Sequence, residues 1–300
     1  MIEASESRFV WRERTAKITD HYKLTDALAE GASKTARIAI HKLSGIERGV
    51  LQKNFKAGSV EREQLRKKVL DHLARFDHPS IVKLIEVFED DQNVYLVTEA
   101  LKGDNIIENL WKQGAIHEGM AASVLQQVLA GVRYMHGKNL SHNQLNPTNI
   151  HHLNSGPQST VKIIDSDQIG ADLQIKDLEK FLGSSKVDNA CYVAPELIRG
   201  DWHIKNDIWS AGVLMYTMLT GHPPFWGENQ KEVFKLITTY KFDMTHVRWQ
   251  AISDEGRDLI LKLMAHHPNY RLDATDALMH PWFQRALRGD YDSLTLEDAM

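Results

Sequence analysis

The stretch DHPSIVKLIEVFEDDQNVYLVTEALKG, residues 77–103, decides the fold class because the character of the sequence changes at its end. It holds two strand-like runs, 81–88 and 94–100, which are rich in β-branched and aromatic residues and are separated by an acidic turn at 89–91. After this stretch the apolar residues recur mainly with helical spacing. We therefore predict a boundary between two lobes near residues 100–103.

The regions on either side of this boundary differ in their predicted elements. Short apolar runs between residues 22 and 56 alternate with turn signals and predict two or three antiparallel strands, followed by a helix over 59–76. After the boundary, the apolar stripe of residues 118–137 predicts an amphipathic helix, and the short run 161–164 predicts a strand. A strand-rich first third and a helical remainder indicate an α+β fold with two lobes. Four further helices are predicted, over 207–220, 228–239, 253–265 and 273–279.

The composition is that of an ordinary globular protein and argues against several functional classes. The chain has 300 residues, a formal net charge of −4 and a pI of about 6.4, so it has no general electrostatic reason to bind nucleic acid or an anionic membrane. Its one cysteine, Cys191, excludes an internal disulfide framework and a cysteine-rich zinc cluster, and suits a reducing compartment. No apolar run reaches the roughly 20 residues of a membrane span. We expect a cytoplasmic protein.

Several segments, together with residues 77–99, carry a family resemblance. They are SHNQLNPTNI (141–150), VKIID (161–165), YVAPELIRG (192–200), DIWSAGVLMYTMLTGHPPFWG (207–227) and RLDATDALMHPWF (271–283). In order and spacing they resemble a protein kinase domain, in particular that of the calcium/calmodulin-dependent and calcium-dependent serine/threonine kinases, over roughly residues 22–284. The resemblance implies a bilobal fold with a nucleotide cleft between a small β-rich N-lobe with one main helix and a large, mainly helical C-lobe. The implied division is an N-terminal extension (1–21), the N-lobe (22–100), the C-lobe (101–284) and a C-terminal tail (285–300).

The resemblance also implies that the structural residues of the C-lobe are present. Glu196 and Arg271 match the buried ion pair that anchors the activation segment in this family. Asp207 matches the residue that accepts hydrogen bonds from the backbone of the catalytic loop near His142, which is itself in place. Removing one member of a buried ion pair leaves an uncompensated charge, so the presence of both members indicates a properly folded C-lobe.

The residues that perform phosphoryl transfer in this family are largely replaced. An active kinase has a catalytic loop of the form H-R-D-L-x-x-x-N, whereas this chain has HNQLNPTN at 142–149. Gln144 stands at the position of the aspartate that deprotonates the substrate hydroxyl, and an amide cannot usefully take that proton. General base catalysis is worth about 10²–10⁴ in rate. In the family's pattern, Asn146 replaces the lysine that steadies the γ-phosphate, and Asn143 replaces the arginine that receives an activation-loop phosphate.

The N-lobe shows the same loss. The glycine-rich loop, which lets backbone N–H groups approach a phosphate closely, retains only its middle glycine, Gly31. The family's lysine position falls on Leu51 and its helix glutamate on Val69. Two apolar residues in place of an ion pair leave no buried charge without a partner. A second register stays open, since Lys53 lies on the same strand face as Leu51 and VLQK at 50–53 resembles the family's V-A-I-K.

The expected nucleotide site is altered as well. His151 stands where the family places an apolar residue under the adenine, and Ser166 replaces the phenylalanine that completes a hydrophobic stack in the active state. Asn149 and Asp165 match the two expected Mg²⁺ ligands, but without the lysine and the glycines we favour a role for them in hydrogen bonds that shape the loop. We therefore expect ATP and Mg²⁺ to bind weakly or not at all, and no cofactor. A residual weak cleft would be lined by Gly31, Lys53, Thr98, Glu99, Leu101, His151 and Asp165.

These replacements, in a domain whose structural residues are kept, indicate a catalytically inactive pseudokinase. Such a protein would bind a protein partner, for example an active kinase or a signalling complex, and act as a scaffold or an allosteric regulator. Two alternatives stay open. One is a weakly active or unconventional ATP-dependent serine/threonine kinase that uses Lys53 and Asp165 around a metal and ATP. The other is a nucleotide-binding conformational switch without turnover.

Overall fold

The chain divides into two compact units, Met1–Lys102 and Gly103–Met300. The computed structural model describes residues 10–12, 16–30, 34–56, 58–71, 76–156, 159–164, 187–242, 244–245 and 247–289. Among these residues, no helix combines the length and the apolar character that crossing a membrane requires.

The first unit is built on a six-stranded sheet with strand order β1-β5-β6-β4-β3-β2. All neighbouring strands are antiparallel except β1 and β5, which run parallel. Its elements are β1 (Val10–Arg12), α1 (Ile18–His21), β2 (Tyr22–Glu30), β3 (Lys34–His41), β4 (Glu47–Asn54), α2 (Val60–Asp71), β5 (Leu84–Glu89) and β6 (Asn93–Glu99).

Both faces of this sheet bury side chains, because successive residues of a strand point to opposite sides. On one face, Val50 lies opposite Val97 within a core cluster that also holds Ile18, Tyr22, Ala39 and Phe88. On the other face, Leu51 lies opposite Leu96. The helix α2 contacts this second face through Arg62, which donates to Glu89. Its buried residues Arg62, Leu65 and Val69 recur at helical spacing.

The second unit is mainly helical around α7 (Asn206–Thr220), all of whose residues are buried. This helix packs on α4 (Glu118–His136) and α10 (Asp254–Leu263). Side chains that cap the first turn fix where several helices begin, for example Asn105 before α3 and Ser253 before α10. Its elements are α3 (Ile106–Gln113), α4 (Glu118–His136), β7 (Ile150–His152), β8 (Val161–Ile163), α5 (Val187–Ala190), α6 (Pro195–Ile198), α7 (Asn206–Thr220), α8 (Gln230–Thr238), α9 (Val247–Ala251), α10 (Asp254–Leu263), α11 (Ala274–Leu278) and α12 (Pro281–Leu287).

The predicted α+β class, with a β-rich first part and a helical second part, is confirmed. The structure adds elements that periodicity did not reveal, namely β1, β7, α1, α3, α5, α6, α9 and α12. Two ends differ from the division made on sequence. Residues 10–12 and 18–21 of the N-terminal extension form β1 and α1, and α12 continues to Leu287, past the boundary at 284. The helix over 59–76 is seen as α2, and residues 72–75 lie outside the described part of the chain.

Candidate functional site

The loop at 141–149 is held by one buried carboxylate, that of Asp207 in the first turn of α7. Its Oδ2 accepts the backbone N–H of His142 and its Oδ1 that of Asn143, both at 2.8 Å. The imidazole Nε2 of His136 lies 2.9 Å from Oδ2. Burial alone would raise the pKa of Asp207, but the hydrogen bonds and charges of His136 and His142 outweigh it and lower that pKa. The carboxylate therefore stays ionised and fixes the start of the loop, as the resemblance implies.

Asn143 turns back into the loop itself. Its backbone has φ 63°, in the left-handed region that asparagine tolerates better than other non-glycine residues. Its side-chain Oδ1 accepts hydrogen bonds from Ser141 Oγ at 2.9 Å and from Trp202 Nε1 at 3.0 Å. The side chain is buried, so it contributes to the local turn and carries no charge that could receive a phosphate.

The other asparagines of the loop are used in the same way. Asn146 caps the short turn Pro147–Asn149: its Oδ1 accepts the Thr148 N–H at 2.9 Å and the Thr148 hydroxyl at 2.6 Å. Its Nδ2 donates to the carbonyl of Gln144 at 2.9 Å, and Asn149 Nδ2 donates to the same carbonyl at 2.8 Å. These bonds support a loop-shaping role for Asn149. They also commit the carboxamide of Asn146, which is only 6% exposed, to the turn.

The ion pair expected between Glu196 and Arg271 is present and almost fully buried. Arg271 Nη1 and Nη2 lie 2.6 and 3.0 Å from the two carboxylate oxygens of Glu196. Arg271 also donates to the carbonyls of Ala265 and Lys205, and its guanidinium stacks 5.3 Å from the ring centre of Trp209. Glu196 lies in α6 and Arg271 lies shortly before α11, so this pair joins two separate parts of the helical unit.

In the first unit, the strand register places the two candidate lysine positions side by side. Gly49 lies opposite Thr98, Leu51 opposite Leu96, and Lys53 opposite Val94. All three strand residues lie on the same face. A Cβ on Gly49 would come within 2.7 Å of the Thr98 hydroxyl oxygen, so the glycine allows the close approach of these strands. Lys53 is 9% exposed, and Val69, on α2, is fully buried. Leu51 and Lys53, the two candidate positions, therefore lie on the same face of the sheet.

The remaining candidate residues are distributed as follows. Glu99 accepts the Lys83 N–H through its carboxylate at 2.8 Å, and Leu101 is half-buried. In the second unit, His151 Nε2 lies 3.1 Å from the Thr148 carbonyl, and burial lowers the pKa of His151. Gly31, Asp165 and Ser166 lie outside the described residues. Within the described ranges, no three His, Cys, Asp or Glu side chains come together as a metal site.

Two contributors to the loop were not found from the sequence. His136 ends α4 and bonds to Asp207, and Trp202 donates to Asn143. The position of His136, six residues before His142, was an available signal, because a buried carboxylate needs donors. No local pattern marks Trp202.

Four buried or half-buried histidines, His151, His152, His203 and His266, make the stability of the chain depend on pH. Burial is the largest effect on each, and it lowers each pKa below 6.5. Such a histidine takes up a proton less readily when folded, so the free energy of unfolding falls as the pH drops through about 6.5. We expect the melting temperature, measured by calorimetry, to fall between about pH 7 and pH 5. A constant value over this range would contradict the prediction.

Comparison with known proteins identifies the family. The model of the protein kinase domain matches residues 22–283. The chain belongs to the protein kinase family. Calcium-dependent protein kinase 3 of Plasmodium yoelii yoelii is 31% identical over 272 residues, covering 90% of this chain and 49% of the relative. Calcium-dependent protein kinase 5 of Plasmodium falciparum (isolate 3D7) is 32% identical over 267 residues, covering 89% and 45%. The chain thus spans about half the length of these kinases, and the resemblance to calcium-dependent kinases is confirmed.

Proposed function

We propose that this kinase domain is catalytically inactive and acts by binding a protein partner, as a scaffold or an allosteric regulator in signalling. The observation that carries the proposal is a well-formed catalytic loop with Gln144 at the position of the base. Asp207 holds the start of this loop, and Asn146 and Asn149 both donate to the Gln144 carbonyl. These bonds support the loop, while the side chain at the position of the catalytic base is an amide.

The chemistry follows from that replacement. Phosphoryl transfer needs a group that orients and deprotonates the substrate hydroxyl, and a carboxamide can hydrogen-bond the hydroxyl but does not take its proton. Asn146 offers no substitute for the missing lysine, since its carboxamide already caps the turn through Thr148. We accordingly propose that ATP and Mg²⁺ bind weakly or not at all. We propose that the partner is a protein.

A second candidate is a residual or unconventional kinase, and one observation favours it. Lys53 is nearly buried on the sheet face that also carries Leu51, so a lysine lies beside the expected lysine position. The similar proteins are named calcium-dependent protein kinases, which fits this candidate too. If Lys53 binds a nucleotide but Gln144 prevents transfer, the chain is a nucleotide-dependent switch without turnover.

Two assays on the wild-type chain separate these functions. We expect no incorporation of labelled phosphate into a basic protein substrate, and no shift in melting temperature with ATP and Mg²⁺ or Mn²⁺. Ligand at 100 times its dissociation constant would stabilise the chain by about 2.7 kcal/mol, which a thermal shift detects.

The substitution Gln144→Asp alone should not restore phosphate incorporation, because the family's phosphate-binding lysine and glycines are replaced independently of Gln144.

Two other results of these assays would contradict the proposal. A thermal shift without phosphate incorporation would replace the proposal with the nucleotide switch. Incorporation that is abolished by Lys53→Met or Asp165→Ala would show a working kinase and contradict the proposal. Leu51→Met is the matched control for Lys53→Met, since it changes the neighbouring position on the same face without removing a charge.

A further inference from the structure

Three residues of the N-terminal region form the outer edge of the six-stranded sheet. β1 runs parallel to β5, with Trp11 opposite Val87. Without β1, β5 would expose its row of backbone N–H and C=O groups at that edge. Such an edge accepts an extended segment through main-chain hydrogen bonds that carry no sequence preference. Any preference must therefore come from side chains on the two faces.

On one face, Arg12 meets a buried carboxylate. Its Nε lies 2.9 Å from Oε2 of Glu86, and its guanidinium carbon lies 5.6 Å from the ring centre of Phe88. Glu86 also accepts a hydrogen bond from the Tyr22 hydroxyl. Burial and this bond to Glu86 raise the pKa of Tyr22, so the phenol stays protonated as a donor. The position opposite Phe88, from which a side chain reaches Glu86, therefore favours a basic residue.

On the other face, Trp11 reaches the helix α2. Its indole Nε1 donates to Oε2 of Glu89 at 3.2 Å, and the guanidinium of Arg66 lies 5.4 Å from its ring centre. The other oxygen of Glu89 accepts Nε and Nη2 of Arg62 at 3.0 and 2.7 Å. The side chains of Arg62 and Glu89 are 6% and 9% exposed. One buried carboxylate thus joins β1, β5 and α2.

The contacts of Trp11 act on one face of α2, because Arg62 and Arg66 are four residues apart. Without Trp11, Glu89 would lose the donor to Oε2 and Arg66 would lose its aromatic ring. Arg62 would keep Glu89 Oε1 and the carbonyl of Asp91, which it meets at 2.8 Å. The helix would then be held less firmly but not released.

We propose that the outer edge of β5 is a docking surface for an extended peptide of the pattern apolar–aromatic–basic. In the free chain Val10–Arg12 occupy it, and its occupancy sets how firmly α2 is held. The partner that fits places its aromatic residue against Glu89 and Arg66 and its basic residue against Glu86. This inference does not depend on whether the chain transfers phosphate, because all its residues lie in the first unit and none in the catalytic loop.

The test weakens the strand in the full chain by combining Trp11→Ala with Arg12→Ala. We expect amide exchange in α2 to become about tenfold faster, since a hydrogen bond to a carboxylate and a cation–π contact are lost. A synthetic peptide of residues 5–16, SESRFVWRERTA, should bind this double variant and return α2 exchange to the wild-type rate. The wild-type chain should not bind it measurably, because its own tethered strand competes at high effective concentration.

Two further variants sharpen the result. Lys17→Ala, an exposed change in the same region, should leave α2 exchange and peptide binding as in the wild type. Trp11→Phe keeps a ring for Arg66 but loses the donor to Glu89, so amide exchange in α2 should be intermediate between the wild type and the double variant. This variant also tests the proposal if the double variant does not fold. Equal α2 exchange in all variants would overturn the proposal. Equal binding of a peptide in which alanine replaces the residues corresponding to Trp11 and Arg12 would also overturn it. Self-association of the double variant would overturn it as well, because a second copy of the chain would then occupy the edge.

Discussion

Arg271→Met is expected to lower the free energy of unfolding by about 3–5 kcal/mol, because it leaves the Glu196 carboxylate buried without its partner. The side chains of the pair are 0% and 6% exposed, and two guanidinium nitrogens contact the two carboxylate oxygens. Methionine would also lose the bonds to the carbonyls of Ala265 and Lys205. Denaturant unfolding followed by intrinsic fluorescence, to which the adjacent Trp209 contributes, measures the loss.

A second substitution separates the strength of the pair from the cost of isolating one charge. Glu196→Leu with Arg271→Met should recover a large part of the stability, since no buried charge then remains. Lys262→Met is the control, because Lys262 and Asp258 are 47% and 50% exposed and such pairs contribute at most about 1 kcal/mol. Equal losses in Arg271→Met and Lys262→Met would show that the buried pair does not anchor this unit.

Elements with a long apolar period are the part of the fold that sequence predicts well. In α4, Val124, Val128 and Val132 recur at helical spacing, and all are buried in the structure. The predicted range 118–137 differs from α4 by one residue. Three-residue strands such as β7 are too short to show any period, so they could not be predicted from pattern alone.

The residue types of the candidate site were also predictable, but their partners were not. The resemblance pointed to Asp207, yet nothing local shows that His136, 71 positions earlier, would donate to it. The N-terminal residues 1–21 are polar with isolated aromatics, a pattern that does not distinguish a tail from a strand that packs on the domain. Its pairing with β5 depends on Glu86 and Glu89, which lie more than 70 residues away. Long-range contacts of this kind follow from the three-dimensional fold and leave no spacing signal in the chain.

Asp207→Asn is expected to destabilise the chain by about 2–4 kcal/mol and to loosen the catalytic loop. The two carboxylate oxygens accept the N–H groups of His142 and Asn143, and all three residues are buried. An asparagine has one oxygen and an NH₂ group that cannot accept, so one of those N–H groups would lose its partner. Amide exchange of residues 141–149 should therefore accelerate along with the loss of stability.

The effect should depend on pH with a definite sign. The pKa of Asp207 is lowered in the folded chain below its ordinary value of 3.8. The carboxylate's contribution to the free energy of unfolding is therefore complete above that value and is lost as the pH falls through the folded pKa. The difference between wild type and Asp207→Asn should thus be largest near neutral pH and shrink in strong acid. Asp258→Asn is the matched control, since the pKa of that half-exposed carboxylate is lowered as well. If both variants lose the same small amount, the loop is held by its own asparagines, and the carboxylate at the start of α7 is dispensable for its shape.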